Sequence, residues 1–173
     1  NFWTIRADII DKFPIVSEEA FAQGHKPDVA GGPFWLVDPL DGTKEFVKRN
    51  GEFTVNIALI DAGKPVAGIV HAPAVAQTYL GGPMGAFRAT KDGRAEPISC
   101  RQATAKKLAA MTSRHHSTPE VDAYLDSLGV AKRVVVGSSL KFCRIAEGAA
   151  DLYPRFGRTM EWDTAAGHAV LRF

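Results

Sequence analysis

The residues able to do chemistry concentrate in Trp35-Leu36-Val37-Asp38-Pro39-Leu40-Asp41-Gly42-Thr43. A short apolar run delivers Asp38 at its end. Pro39 removes a backbone donor and stops the predicted strand, and Gly42 permits a tight turn with its amide exposed. Asp38 and Asp41 then stand about one turn apart. Hard divalent cations prefer oxygen ligands, and magnesium takes a few carboxylates while keeping waters that a phosphate can displace. The Thr43 hydroxyl and the amides of Gly42 and Thr43 are available to phosphate oxygens. By residue chemistry alone the segment is equally readable as an ordinary turn, because Asp, Pro and Gly are what turns are made of.

Two other acidic segments bear on that choice. Phe13-Pro14-Ile15-Val16-Ser17-Glu18-Glu19 closes an apolar run on adjacent acids, which repel each other unless a cation or solvent intervenes. Taken alone, a capping box or a solvated helix start is the plainer explanation. Glu161-Trp162-Asp163-Thr164-Ala165-Ala166-Gly167 places Asp163 at the N-cap of an apolar helix, where an acid can cap and bind metal at once.

The elements that must position these acids read as α+β. Short β-like runs at Phe34 to Val37, Thr54 to Ile60, Val66 to Val70 and Thr78 to Leu80 are divided by Gly and Pro. Asp61-Ala62-Gly63-Lys64 predicts a β-hairpin over Thr54 to Val70, and Gly81-Gly82-Pro83 marks a second turn. After a polar stretch from Lys91 to Gln102, strands are predicted at Leu108 to Thr112 and Val134 to Val136. Helices are predicted at Pro119 to Leu128, capped by Ser117 or Thr118, at Leu140 to Glu147, and from Asp163 onward. Two lobes follow, 1–89 with the acidic motifs and 90–173 with the last acid, in a layered α+β protein.

Composition narrows the class. In 173 residues, 46% are hydrophobic and 23% charged, with a net charge of +2, which is ordinary for a globular protein and argues against a nucleic-acid polymer as partner. Apolar runs break well short of the roughly 20 residues that span a bilayer, and the start lacks a signal-peptide pattern, so a cytoplasmic protein is expected. Cys100 and Cys143 have no metal or redox spacing and are expected to be reduced and packed.

Together, the acidic segments resemble the inositol monophosphatase superfamily, whose signatures look like Trp-x-Val-Asp-Pro-Leu-Asp-Gly-Thr and Trp-Asp-x-Ala-Ala. Trp35 to Thr43 and Trp162 to Ala166 match them. The resemblance implies an αβαβα sandwich, metal ligands at Glu18, Asp38, Asp41 and Asp163, and the Leu40 carbonyl joining Asp38 on one of two or three Mg2+ ions. Val16 to Glu19, Thr43 to Phe46, Gly137 to Cys143 and Ala146 to Arg155 are most similar to bacterial 3'(2'),5'-bisphosphate nucleotidases of sulfate assimilation. That narrower likeness implies hydrolysis of 3'-phosphoadenosine 5'-phosphate to AMP by a monomer or homodimer. Asp41, Thr43 and Glu18 would serve catalysis, with Thr43 helping to orient water.

A bisphosphorylated nucleoside needs a second anion pocket, for which Ser138, Lys141 and Arg155 are the candidates beside Gly42 and Thr43. His115 is a candidate at the base or sugar, and His116 reads as solvated. Inositol monophosphate is the alternative substrate, and a metal- or phosphate-binding relic the alternative role. Thr4-Ile5-Arg6-Ala7-Asp8 echoes a family segment whose acid positions the attacking water, but Asp8 lies closer to Glu18 than the family's intervening helix allows. The N-terminal helices are therefore expected to be shortened, or residues to be missing there and near the C-terminus.

Overall fold

The computed structural model describes residues 11–104 and 107–173; Asp8 and its segment lie outside the described residues. Seven strands form one sheet in chain order: β1 (Ile15–Ser17), β2 (Phe34–Asp41), β3 (Thr54–Asp61), β4 (Lys64–Ala72), β5 (Gln77–Gly82), β6 (Gly85–Ala89) and β7 (Ala95–Pro97). β1 runs parallel to β2, and the remaining neighbours are antiparallel. Two short helices follow strands, α1 (Glu18–Ala22) after β1 and α2 (Thr43–Val47) after β2. The expected hairpin forms, with Asp61 paired to Lys64 across Ala62 and Gly63. Both loop residues have positive φ, 47° and 71°, the twist that a two-residue hairpin requires.

Sequence and structure part at several places in this sheet. β7 lies within the stretch read as merely polar, where it extends β6 at the edge. Gly81 and Gly82 belong to β5, and the turn falls at Pro83 and Met84. The reason is a helix, α5 (Glu161–Arg172), lying across β3, β4 and β5. A Cβ on Gly81 would collide with the Ala169 carbonyl, and one on Gly68 would sit 2.6 Å from the Ala166 oxygen. These glycines admit a backbone rather than make a turn. Gly68→Ala should therefore cost about 1–3 kcal/mol of stability, read as a lower urea midpoint with unchanged slope.

A second sheet pairs β8 (Ala109–Ser113) with β9 (Lys132–Val136) in parallel. The crossover between them is α3 (Pro119–Ser127), whose Val121 and Leu125 pack on Ala110. Thr118 is its cap, the hydroxyl accepting from the Val121 amide at 3.5 Å. α4 (Leu140–Ala146) lies between α5 and β8, with Phe142 against Gly167. The large sheet, the α4–α5 pair, the small sheet and α3 thus stack as α+β layers. Their main core runs from Leu36 and Val70 through Cys143 to Trp162 and Val170.

No helix among the described residues is long and apolar enough to cross a membrane. Both cysteines are free thiols, but only Cys143 is packed; Cys100 is exposed, against expectation, in the irregular segment after β7.

Candidate active site

In a regular strand, residues three apart point to opposite faces. Asp38 and Asp41 escape that rule. Asp38 pairs with Asn56 and Asp41 with Thr54, so three steps on β2 match two on β3. Contrary to expectation, Pro39 does not stop the strand but sits in a bulge that re-aims the acid beyond it. An Asx turn, Leu40 N–H to Asp38 Oδ1 at 2.9 Å, fixes the first carboxylate. One oxygen from each of Asp38, Asp41 and Asp163 then lies within 4.8 Å of the others.

Asp163 reaches this point from the other end of the chain. α5 begins at Glu161, two residues earlier than expected, so Asp163 is not the N-cap but the third helical residue. Its Oδ2 accepts from the Met160 amide at 3.0 Å and the Thr159 hydroxyl at 2.9 Å. The carboxylate caps the helix by reaching backward with one oxygen. Glu18 arrives by register: Ser17 pairs with Val37, which sets Glu18 beside Asp38. The cap of α1 is Ser17, whose hydroxyl accepts from the Ala20 amide at 3.3 Å, so Glu18 is not needed for capping. The two carboxyls are close enough to influence each other's ionisation, Asp38 opposing the upward shift of Glu18.

The electrostatics follow from this crowding. Burial pushes Asp38 up to about 8; the bond from the Leu40 amide opposes the shift, and Asp41, Glu18 and Asp163 add to it. Burial also raises Glu18, with Asp163 adding to it, and raises Asp41 against the lowering effect of Ser139, Lys141 and Asn56. The cluster Asp38, Asp41 and Asp163 offers only hard oxygens, contains neither His nor Cys, and repels itself, the donor chemistry that suits Mg2+. At pH 7, below about 8, the metal-free Asp38 carboxyl holds its proton. Mg2+ binding should release protons at pH 7, and its affinity should strengthen up to about pH 8 and then level. Calorimetric titration in two buffers of different ionisation enthalpy measures the release. Because the folded value lies above the ordinary 3.8, the metal-free fold should lose stability as pH rises from there through about 8.

Asp41 and Asp163 also line a cavity of about 480 Å³, together with Gly42, Thr43, His115, Ser138, Lys141 and Arg155. The structure thus gathers eight of the predicted residues; Glu18, Asp38 and Leu40 lie off its lining, Asp38 being almost wholly buried. Gly42 is left-handed at φ 88°, and a Cβ there would meet the Glu52 oxygen at 3.3 Å. Lys141 is buried, its ammonium donating to the Ser138 carbonyl at 2.5 Å and standing 5.1 Å from the Tyr153 ring centroid. Burial lowers it to about 8, against the pull of Asp41, Glu45 and Glu52. Arg155 donates to the Arg158 carbonyl at 2.8 Å.

The cavity holds residues that sequence reasoning left out. Lys44 lines it, and so does His116, which is exposed as expected but held low by burial and by Arg155, Lys44 and Lys141. Glu45 is buried with its Oε1 3.1 Å from His115 Nε2, a polar contact without hydrogen-bond alignment. Glu52 accepts from the Gly137 amide at 2.9 Å and from Arg114 at 2.8 Å. These contacts tie the wall that carries Gly42 to the wall that carries Ser138.

An acid cluster with hard-cation chemistry borders a cavity that also carries Lys44, Lys141 and Arg155, on this layered α+β frame. The model of the inositol monophosphatase family matches residues 4–172, and the chain belongs to that family. Within it, the chain is 54% identical over 137 residues to the 3'(2'),5'-bisphosphate nucleotidase CysQ of Escherichia coli strain K12, covering 79% of this chain and 54% of the relative. It is 46% identical over 165 residues to the CysQ of Buchnera aphidicola, covering 94% and 60%. Among solved structures, CysQ from Bacteroides thetaiotaomicron superposes with a TM-score of 0.80 at 41% identity, over 94% of this chain and 67% of that one. The chain spans about half to three fifths of the length of these curated relatives.

Proposed function

We propose that this chain carries the site of a Mg2+-dependent 3'(2'),5'-bisphosphate nucleotidase, releasing the 3'-phosphate of 3'-phosphoadenosine 5'-phosphate to give AMP. The observation that carries this reading is one cavity joining a self-repelling acid cluster to a second, cationic group of Lys44, Lys141 and Arg155. A monophosphate needs only the first; a bisphosphate uses both. The relatives named as bisphosphate nucleotidases support the same choice. The sulfated precursor of this nucleotide is a related substrate.

Glu18, Asp38, Asp41 and Asp163 would hold magnesium, with the Leu40 carbonyl beside Asp38. When bound, the metal supplies Lewis-acid polarisation of the ester and activation of water. Thr43 orients the attacking water, and the Gly42 and Thr43 amides face the transferred phosphate. Ser138, Lys141 and Arg155 receive the second phosphate, and His115, braced on Glu45, borders the sugar and base. On this reading residues 1–89 form the lobe that supplies the first acids, and 90–173 the lobe that supplies the pocket and Asp163. The protein would act in the cytoplasm as a monomer or homodimer.

The test is phosphate release with and without Mg2+ from 3'-phosphoadenosine 5'-phosphate, AMP and inositol monophosphate. At least about tenfold preference for the bisphosphate in kcat/KM is expected, since a charge-assisted contact contributes on that order. Equal or better use of inositol monophosphate would overturn the substrate. No release from any ester would leave a phosphate-binding role.

A further inference from the structure

The motif that singles out Ser138 has a second serine, and that one is at the centre of the acid cluster. Ser139 is 2% exposed at the entrance to α4. Its amide and its hydroxyl both reach Asp41 Oδ2, at 2.6 and 2.7 Å. The same hydroxyl lies 2.7 Å from the main-chain oxygen of Asp163 and accepts from Asn56 Nδ2 at 2.9 Å. One small side chain thus meets β2, β3 and α5 at once. We propose that Ser139 is a positioning residue that fixes the Asp41 carboxylate relative to Asp163 and so sets the affinity of the metal site.

The geometry supports a role beyond packing. Asp41 Oδ2 also faces Thr54 Oγ1 and Asn56 Nδ2, each at 3.3 Å, so all four donors from described residues fall on one oxygen. The two short bonds both come from Ser139. A carboxylate held this way cannot rotate about its Cβ–Cγ bond without breaking them, and its Oδ1 is the oxygen left for a cation. Groups that orient a ligand in this manner typically govern metal affinity by about 10- to 100-fold. The hydroxyl also measures the gap between two elements distant in sequence, since it spans Asp41 on β2 and Asp163 on α5.

The inference rests on Asp41 and Asp163 being metal ligands, as proposed above. Ser139→Ala removes only the hydroxyl, keeps the amide bond and adds no volume; Ser139→Cys keeps a weaker donor at a similar size. Binding of Mn2+ as a paramagnetic probe of the Mg2+ site, followed by electron paramagnetic resonance on the full chain, should weaken about tenfold in Ser139→Ala. The cysteine variant should fall between, and both metal-free variants should stay fully folded at the binding temperature, although loss of the buried hydroxyl lowers the unfolding midpoint of the alanine variant. Wild-type Mn2+ affinity in both variants, or a loss fully explained by a smaller folded fraction, would overturn it. Asp41→Asn is the control: if it abolishes Mn2+ binding while the Ser139 variants bind normally, only this inference falls. If Asp41→Asn binds Mn2+ like wild type, the ligand assignment falls and this inference with it.

Discussion

Asp41→Asn is expected to leave less than about one per cent of turnover, a loss of the size seen when a preorganised electrostatic group is removed. Four donors face Asp41 Oδ2, so the asparagine must turn its carbonyl oxygen toward Ser139, Asn56 and Thr54. Its NH2 is then forced toward Asp38 and Asp163, where a donor repels a cation and occupies its place. The fold should not suffer. Replacing one of several crowded acids by a neutral isostere relieves repulsion, so the metal-free variant should melt at or above the wild-type temperature. Phosphate release in saturating Mg2+, beside a melting curve without metal, checks both halves. Undiminished turnover would remove Asp41 from the site.

Lys141→Met should separate the two phosphates. The thioether keeps the buried stem filled and removes only the charge, which serves better than truncation for a side chain that is 6% exposed. A lost charge-assisted contact should raise the KM for the bisphosphate at least about tenfold while leaving a simple phosphomonoester nearly unaffected. There is a complication to watch. The ammonium also holds the Ser138 carbonyl, and Ser138 is left-handed at φ 47°, so the variant loses an anchor for a strained turn. Equal loss on both substrates would mean that Lys141 supports the turn rather than the second phosphate.

The reading from sequence alone reached most of this arrangement, and its gaps have physical causes. The acids were legible because their residue types are costly to place together without a cation, and because their order matched a family pattern. The hairpin, the crossover helix and its cap were legible from turn and capping chemistry, which is local. What was not legible depended on register. Thr54 to Ile60 was legible as an alternating strand, but not which face turns inward: Thr54, Asn56, Ala58 and Ile60 are buried, while apolar Val55, Ile57 and Leu59 are only half-buried. Two buried polar groups on a strand were the available signal of a site on that face, since they need partners to be tolerated. Here the partner is Asp41. Likewise Pro39 ends a strand by local rules, but pairing on both sides carries β2 through it as a bulge. Glu45, Glu52 and Ser139 act through partners far along the chain, Ser139 and Asp41 being 98 positions apart, and no spacing rule reaches that distance.

The close seating of α5 on the sheet has a consequence for how the site opens. Gly68 and Gly81 let that helix approach so nearly that Ala166, Ala169 and Val170 have almost no access to water. Its amides should exchange with deuterium only when the whole sheet comes apart, in the slowest class of the molecule. Asp163 rides on that helix. The last acid is therefore not on a flap that breathes; bringing Asp163 to Asp38 and Asp41 and completing the fold become one cooperative event.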